Sequence, residues 1–222
     1  MEQKKPKVLV SFHGGGYILD FDGNSPLKSI ISLKIDKEYP IITNPQKSIC
    51  DARTNAVEEA MKLECTHIFM VDTDMIYPPD MLEFLLQDNR DIVGVVAYKR
   101  TPPYFPCVFI KQEGEEYYKS VNVVKKGLMR CDAVGFGAIL INLDVFFKIP
   151  HPLFWIDQKG HDINFCEKAR QYGFDIHVDT DMVIGHCGEP VVVDEKVYLS
   201  NLNPETLKKH DEEVKHALQR NK

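Results

Sequence analysis

The sequence predicts an α/β domain built around a mostly parallel central sheet that is flanked by helices. Residues 1–100 alternate short apolar runs with segments of helical periodicity, and this alternation indicates parallel strands joined by right-handed crossovers. The second half contains short apolar runs separated by polar turns, which indicates a small antiparallel segment. No repeat or low-complexity linker divides the chain, so we predict one domain over residues 1–222.

The first half contains four predicted strands and three predicted helices. The strands are the apolar runs at 8–12, 41–42, 67–71 and 92–97. Apolar side chains at helical spacing predict helices at 27–33 and 52–61, and Asp51 is the predicted N-cap of the second. Pro78 and Pro79 open a third helix, because proline is tolerated in the first helical turn.

The second half combines strands with two further helices. Strands are predicted at 105–110, 117–124, 128–131, 138–143, 174–178 and 182–184. A helix at 162–172 ends at Gly173, a residue suited to a helix C-terminus. Asn203 and Pro204 start a charged terminal helix, at about 203–220, with only a thin apolar stripe.

Composition excludes several classes of protein. The chain carries 27 basic and 33 acidic residues, a net charge of −6, which disfavours binding to a nucleic-acid backbone. No apolar run is long enough to span a bilayer, and no secretory signal follows the basic first residues. The six cysteines form no CxxC pair, so a disulfide scaffold or structural zinc site is disfavoured and a cytoplasmic location with reduced thiols is expected.

Three Asp-x-Asp triplets occur, at 20–22, 72–74 and 179–181. Only Asp72-Thr73-Asp74 directly follows a long apolar strand and precedes a helix-opening proline pair. Ligands of open α/β sheets bind outside the carboxyl ends of the strands, where this triplet is expected to lie. Two neighbouring carboxylates repel each other unless a cation offsets their charge, and a divalent ion shared with a diphosphate would do so. A solvated acidic loop remains the alternative from spacing alone.

An ordered set of segments resembles the GT-A glycosyltransferases, in particular the family 2-like group of bacteria and their viruses. The likeness extends over residues 8–188 and rests on segments 51–53, 69–75, 78–81, 135–138, 160–166 and 185–186. It implies a GT-A (Rossmann-like) fold and transfer of a sugar from a nucleoside-diphosphate donor, UDP-linked by expectation, to a hydroxyl acceptor such as a glycan. The nucleotide-sugar half would cover about residues 1–100 and the acceptor half about 101–190.

The resemblance also assigns roles at the triplet. Asp72 would meet the ribose or a metal-bound water, beside Thr73, and Asp74 would ligate Mn²⁺ or Mg²⁺. His186 would add a ring nitrogen, a donor that suits Mn²⁺ better than Mg²⁺. The ion would stabilise the departing nucleoside diphosphate as a Lewis acid.

Asp162 is the residue that the resemblance places as catalytic base. It lies at a predicted helix N-terminus, where the helix dipole favours the ionised carboxylate that a base requires. An inverting single displacement follows from that role, by analogy with glycosidases, and a retaining transfer on the same fold is the alternative. The family's acidic motif reads Glu-Asp, whereas His161 precedes Asp162 here, and simple helix capping by Asp162 is the structural alternative.

Further residues are candidates for substrate contacts. Ser11 and His13 follow the first strand, where this fold meets the nucleotide, and Gly14–Gly16 permit close approach. Arg53 either offsets diphosphate charge or forms a surface ion pair. For acceptor binding the candidates are Gly135, Gly137 and the single tryptophan, Trp155, with a plain turn and a core aromatic as the respective alternatives.

Rival functions start from other features. Asp20-Phe21-Asp22 resembles the nucleophile motif of HAD-like phosphatases, although Asn24 stands where that family has Thr. A sugar-phosphate nucleotidyltransferase would need a basic glycine-rich loop after the first strand, and this loop has neither Lys nor Arg. A non-catalytic nucleotide-sugar-binding module would bind nucleotide with metal but show no turnover.

Overall fold

The chain folds into a mixed α/β structure, seen in a computed structural model that describes residues 5–14, 25–43, 47–111, 114, 117–121, 126–187 and 192–200. The strands in this part are β1 (Val8–His13), β2 (Ile41–Thr43), β3 (His67–Asp72), β4 (Met75–Ile76), β5 (Ile92–Val96), β6 (Val108–Lys111), β7 (Tyr118–Ser120), β8 (Leu128–Cys131), β9 (Ala133–Val134), β10 (Ala138–Asn142), β11 (Ile176–Val183), β12 (Gly185–Cys187) and β13 (Val192–Val193). The helices are α1 (Pro26–Ser32), α2 (Ile49–Lys62), α3 (Met81–Gln87), α4 (Asp144–Lys148), α5 (His161–Gln171) and α6 (Glu195–Ser200). The Asp20–Asp22 motif, Gly15, Gly16 and the predicted helix at 203–220 lie outside the described residues.

The central sheet has seven strands in the order β2-β1-β3-β10-β5-β11-β8. Strands β2, β1, β3, β5 and β11 point the same way, whereas β10 and β8 run against their neighbours. The predicted mostly parallel sheet is therefore confirmed. The direction of β10 was not predictable, because a strand buried on both faces is a continuous apolar run whichever way it points.

Two small antiparallel sheets flank the central one, in the orders β13-β12-β4 and β7-β6-β9. The predicted antiparallel segment is thus confirmed for β6 and β7. The run at 128–131 was expected to join them, but β8 instead pairs with β11 at the edge of the central sheet. The separate strands predicted at 174–178 and 182–184 form the single strand β11, whose pairing with β5 shifts register between Asp179 and Val183.

Helix boundaries follow local capping, and two predictions about them were wrong. Ser48, not Asp51, is the N-cap of α2: its hydroxyl accepts the Asp51 N–H at 3.2 Å and donates to the Asp51 carboxylate at 2.7 Å. Helix α3 begins at Met81 with Asp80 as N-cap, after the proline pair rather than at it. The predicted end of α5 is confirmed, since Gly173 has a φ of 88° and Phe174 N–H closes back on the Ala169 carbonyl.

The strands of the central sheet bury side chains on both faces. Leu9, Ile68 and Met70 face one core, where α2 contributes Ala56 and Val57. The alternate residues of the same strands face the second core together with α3. Burying one such side chain contributes about 1.5–3 kcal/mol, so the strand ends are held on a rigid platform.

Two expectations from composition concern thiols and membrane spans. All six cysteines are free thiols, and Cys131, Cys166 and Cys187 are buried. Within the described ranges, no helix combines the length and apolarity needed to cross a membrane.

Candidate functional site

The Asp72–Asp74 triplet lies at the carboxyl end of the central sheet, as predicted. Asp72 is the last residue of β3 and pairs in register with His13, the last residue of β1. The chain then turns: Asp72 N–H donates to the Gly137 carbonyl at 3.0 Å, and Thr73 N–H donates to the His13 carbonyl at 2.8 Å. The residue that follows β1 lies very close to Thr73. It must be a glycine, because a Cβ on Gly14 would meet the Thr73 hydroxyl.

Asp74 and His186 meet at this edge although they are far apart in the chain. Strand β12 pairs with β4, which places His186 opposite Met75. The His186 Nε2 lies 3.6 Å from Asp74 Oδ2, and Arg100 reaches the same oxygen at 3.2 Å. Burial alone would raise the pKa of Asp74, but His186 and Arg100 outweigh it and hold that pKa below its ordinary value.

A backbone carbonyl orients the His186 ring. Its Nδ1 lies 2.7 Å from the Tyr98 carbonyl oxygen, which can only accept, so Nδ1 carries a proton. Nε2 faces the Asp74 carboxylate: the imidazolium donates to that oxygen, whereas the neutral ring presents a lone pair to it. In the neutral form, the Nε2 lone pair and the Asp74 carboxylate are spaced so that both could ligate one cation, since ligands about 2.1 Å from one octahedral ion stand about 3 Å apart.

Asp72 does not join that pair. Within the described ranges, no group of three His, Cys, Asp or Glu side chains is arranged to hold a metal ion. The Asp72 carboxylate instead accepts from Arg53 NH2 at 2.8 Å. Asp74 and His186 thus fit a cation as two protein ligands, and oxygen atoms of a bound ligand would have to complete the coordination shell.

Arg53 is buried, with 1% of its side chain exposed, so the surface ion pair considered from sequence is wrong. Its guanidinium stacks over the Phe136 ring, 4.8 Å from the centroid, and NH2 approaches the Phe136 carbonyl oxygen at 3.5 Å. Burial raises the pKa of Asp72 to about 6, and Arg53 opposes that rise. Arg53 therefore helps to keep this partly buried carboxylate charged at neutral pH.

A group of buried polar atoms, those of Arg53 among them, has no hydrogen-bond partner in the part of the chain that the structure describes. No hydrogen bond within the described ranges reaches Ser11 Oγ, either ring nitrogen of His13, Nε or NH1 of Arg53, or His161 Nε2. Burial, then the charge of Arg53, lowers the pKa of both histidines to about 3, so both rings are neutral at pH 7. We call Ser11, His13, Arg53 and His161 the buried polar group.

Asp162 lies in the first turn of α5, as predicted. Its Oδ1 accepts the Ile163 N–H at 2.9 Å, and Gly135 lies beneath it, with 3.8 Å between Oδ2 and the position of a Cβ there. The helix N-terminus was expected to keep this carboxylate easily ionised. Burial instead raises the pKa of Asp162, although the Ile163 N–H and the charge of Arg53 oppose the rise.

Gly135 and Gly137 are buried, and internal packing accounts for both. A Cβ on Gly135 would lie 2.8 Å from the Cys107 Cβ, and one on Gly137 would lie 2.8 Å from the Met75 Cε. The Gly137 carbonyl also accepts from the Tyr77 hydroxyl at 3.0 Å. Contact with an acceptor remains a prediction for these residues.

Trp155 lies apart from these residues. Its ring stacks against the Lys168 ammonium, 4.3 Å from the ring centroid, and its carbonyl accepts from the Asn164 amide at 3.1 Å. Asn164 and Asp162 are two positions apart in α5, which separates them by about 200° around the helix. The structure therefore does not bring Trp155 together with Asp162.

Sequence reasoning missed three contributors to the site. Tyr77 donates its hydroxyl to the Asp72 and Gly137 carbonyls, Phe136 supplies the face under Arg53, and His161 belongs to the buried polar group. The only available signal was the departure at 161 from the family's Glu-Asp motif. Arg100 is a fourth residue without a sequence signal, and it contacts Asp74.

The rival acidic triplets have different surroundings. Asp179 is 7% exposed and accepts the Asp181 N–H at 2.9 Å, a local turn at the register shift in β11. The HAD-like hypothesis rests on Asp20 and Asp22, outside the described residues, and stays untested.

Comparison with known proteins gives similarity of fold. No family model matches the chain, and no curated protein matches it. Among solved structures, the crystal structure of A197 from STIV has a TM-score of 0.63 at 17% identity, over 86% of this chain and 91% of that one. GalNAc-T7, crystallised with UDP, GalNAc and Mn²⁺, has a TM-score of 0.53 at 12% identity, over 82% of this chain and 44% of that one.

A third solved structure is less similar. The nucleoside-diphosphate-sugar pyrophosphorylase from Vibrio cholerae RC9 has a TM-score of 0.46 at 12% identity, over 90% of this chain and 99% of that one. At these identities the comparisons describe architecture alone. The chain has a GT-A-like fold, with Asp72–Asp74 at the carboxyl end of its central sheet.

Proposed function

We propose that this protein is a metal-dependent glycosyltransferase that moves a sugar from a nucleoside-diphosphate donor, UDP-linked by preference, to an acceptor hydroxyl. The observation that carries the proposal is the arrangement of Asp74 and His186. The Tyr98 carbonyl fixes the ring so that Nε2 faces the Asp74 carboxylate at 3.6 Å. A GT-A-like fold, with this pair at the carboxyl end of its sheet, supports a donor site here.

Asp74 and His186 would hold Mn²⁺ or Mg²⁺, and the bound ion would supply Lewis-acid stabilisation of the leaving diphosphate. Arg100 contacts Asp74 from the open side, with about half of its side chain exposed, and is placed to pair with phosphate oxygens. Asp72, held by Arg53, would accept from the ribose hydroxyls. Thr73 would line the nucleotide side of the same edge, and the buried Ser11 and His13 would support it from beneath without touching the donor.

Asp162 would remove the acceptor proton as the acceptor oxygen attacks the anomeric carbon. Its raised pKa suits that role, because a more basic carboxylate takes a proton more readily once it is ionised. We infer inversion of the anomeric centre from a single displacement. NMR of the product's anomeric proton separates inversion from the retaining alternative.

The experiment is a thermal-shift screen of UDP-sugars with and without Mn²⁺. A ligand at 100 times its dissociation constant stabilises the folded state by about 2.7 kcal/mol, so a bound donor should raise Tm measurably. Asp74→Asn and His186→Ala should remove the Mn²⁺-dependent part of the shift. The matched controls Asp91→Asn and His151→Ala, both at exposed positions, should keep it.

A second measurement separates an enzyme from a binding module. Slow hydrolysis of the stabilising donor without acceptor should release free sugar, and Asp74→Asn should stop that release. A thermal shift of the same size without Mn²⁺ would contradict the proposed donor site. So would an Mn²⁺-dependent thermal shift that persists in both Asp74→Asn and His186→Ala. Binding without any turnover would leave a nucleotide-sugar-binding module.

A further inference from the structure

A cavity lies on the outer side of α5, away from the candidate reaction centre. It has a volume of about 290 Å³ and is lined by Pro152, Trp155, Asn164, Glu167, Lys168 and Gln171. The four lining residues of α5 follow i, i+3, i+4, i+7 spacing and therefore share one face of the helix. This volume is at the lower limit of small-molecule sites, roughly 300 Å³, and so suits a ligand of one ring.

Hydrogen bonds hold the walls of the cavity in place. Asn164, 1% exposed, donates to the Trp155 carbonyl at 3.1 Å. The Lys168 ammonium donates to the Pro150 and Pro152 carbonyls at 3.2 and 2.5 Å, which fastens the segment before Trp155 to α5. The cavity is therefore formed before any ligand arrives.

The charges around the cavity are balanced. Glu167 is paired on both oxygens, with Lys111 at 2.8 Å and Lys159 at 2.5 Å. The Lys168 charge is held over the Trp155 ring and by carbonyl oxygens. An anion would meet Glu167 and a cation would meet Lys168, so neither charge is favoured.

The remaining surface combines apolar and polar groups. Pro152 and Trp155, whose ring has the Lys168 ammonium against one face, contribute apolar surface to the lining. Gln171 is exposed, and its amide has no hydrogen-bond partner within the described ranges. A ligand that fits needs C–H groups for the ring and hydroxyls for the amide, without net charge. A sugar ring has both, because its axial hydrogens form an apolar face and its hydroxyls lie at the rim.

We propose that this cavity binds a neutral saccharide unit, at a site separate from the donor site. The site does not depend on the proposed transferase activity, since it contains neither Asp74, His186 nor Asp162. Its occupant is one ring of a free oligosaccharide.

The single tryptophan makes the test direct, because the protein's indole emission comes from Trp155 alone. The full chain is titrated with maltotetraose, cellotetraose and chitotetraose to roughly 10 mM, a range that detects millimolar dissociation constants. At least one should change the emission saturably. Gln171→Ala should weaken that binding several-fold, while Gln87→Ala, an exposed glutamine on α3, should not.

Trp155→Ala is followed by saturation-transfer NMR on the saccharide signals, with circular dichroism to check the fold. It should weaken binding at least about tenfold, as loss of a central aromatic anchor does, and leave the UDP-sugar thermal shift unchanged. No emission change with any of the three sugars overturns the proposal. So does a response to adenosine alone, or wild-type affinity in Gln171→Ala.

Discussion

The two sides of Asp72 differ in how their polar groups are satisfied. On the open side, Asp74 contacts both His186 and Arg100, and the Asp74 side chain is about a quarter exposed. On the other side, Ser11, His13, Arg53 and His161 keep polar atoms out of water without partners within the described ranges. An unpaired buried polar atom costs about 1–3 kcal/mol, so the buried side is maintained against a stability cost.

This difference in hydrogen bonding and charge pairing implies different roles for the two sides of Asp72. In the proposed donor site, the paired and accessible charges of Asp74 and Arg100 would exchange partners when a metal and a diphosphate bind. The buried, neutral imidazoles of His13 and His161 would instead act as fixed dipoles near Arg53 that need no rearrangement during the proposed reaction. The proposed base, Asp162, is electrostatically coupled to the buried side through Arg53.

The largest expected effect is on turnover. Asp162→Asn should lower kcat by roughly 10³-fold, within the range for loss of a general base. It should leave Mn²⁺-dependent donor binding intact, whereas Asp74→Asn should abolish that binding. Steady-state kinetics and thermal shifts on the same samples make the measurement, and loss of donor binding in Asp162→Asn would break the division between the two sides.

The pH profile sharpens the same point. Burial raises the pKa of Asp162 above 3.8, its ordinary value, and the base must be ionised to act. Activity should therefore fall on the acid side, beginning at a higher pH than for an exposed aspartate. The acid limb of kcat/KM should be absent from the residual activity of Asp162→Asn.

Arg53→Met should cause the next largest effect, on stability. It leaves the Asp72 carboxylate without its cation. Breaking a fully buried ion pair costs about 3 kcal/mol, and the loss should be smaller here because the Asp72 side chain is 27% exposed. Urea unfolding at neutral pH measures the loss. Adding Asp72→Asn should recover part of it, because no uncompensated charge then remains; an additive double variant would mean that the pair is not coupled.

His13 should make stability depend on pH. Its pKa falls from 6.5 to about 3 on folding, so the unfolded chain binds the extra proton between those values and stability is lost as pH falls below 6.5. From about pH 7 to about pH 5 the loss is about 2 kcal/mol for this one residue.

The measurement compares urea unfolding at both pH values in wild type and His13→Gln. The substitution should remove about that much of the pH dependence, and His151→Gln, at an exposed position, should leave it unchanged. An unchanged slope in His13→Gln would show that His13 is not held neutral by burial.

The smallest expected effect comes from removing the Tyr77 hydroxyl, which supports the turn that follows β3. Tyr77→Phe removes a buried hydroxyl from the Asp72 and Gly137 carbonyls and should destabilise the protein by about 1–2 kcal/mol. Tyr172→Phe, 48% exposed, is the matched control in thermal unfolding. Donor affinity should fall with Tyr77→Phe if this hydroxyl holds the triplet in place.

Part of the fold and of the candidate site could be predicted from the local pattern of apolar, polar and glycine residues. Residues 68–71 are apolar and lie in a buried strand, and the polar residues after them must stand at its carboxyl end. Gly173 ended α5 as predicted, since a positive φ there suits glycine. These features depend on a few consecutive residues and on rules that hold for any sheet or helix.

Contacts between distant segments were not readable in that way. Nothing near Arg53 indicates that it would be buried against Phe136, 83 positions away. Nor does the run at 138–142 indicate that β10 would enter the sheet antiparallel between β3 and β5. The helix position of Asp162 favoured a low pKa, but the burial that raises it comes from the packing of other elements.

The amino-acid sequence by itself determined the alternation of strands and helices, the strand end that carries Asp72–Asp74, and the order of the motifs that resemble a GT-A enzyme. Only the tertiary structure decided that Asp74 faces His186 and that Asp72 faces Arg53. It also decided that Trp155 lies against the side of α5 opposite Asp162. The periodicity of apolar residues indicates which side of a helix or strand faces the core. Which distant residue contacts a given side chain depends instead on how whole helices and strands pack against each other.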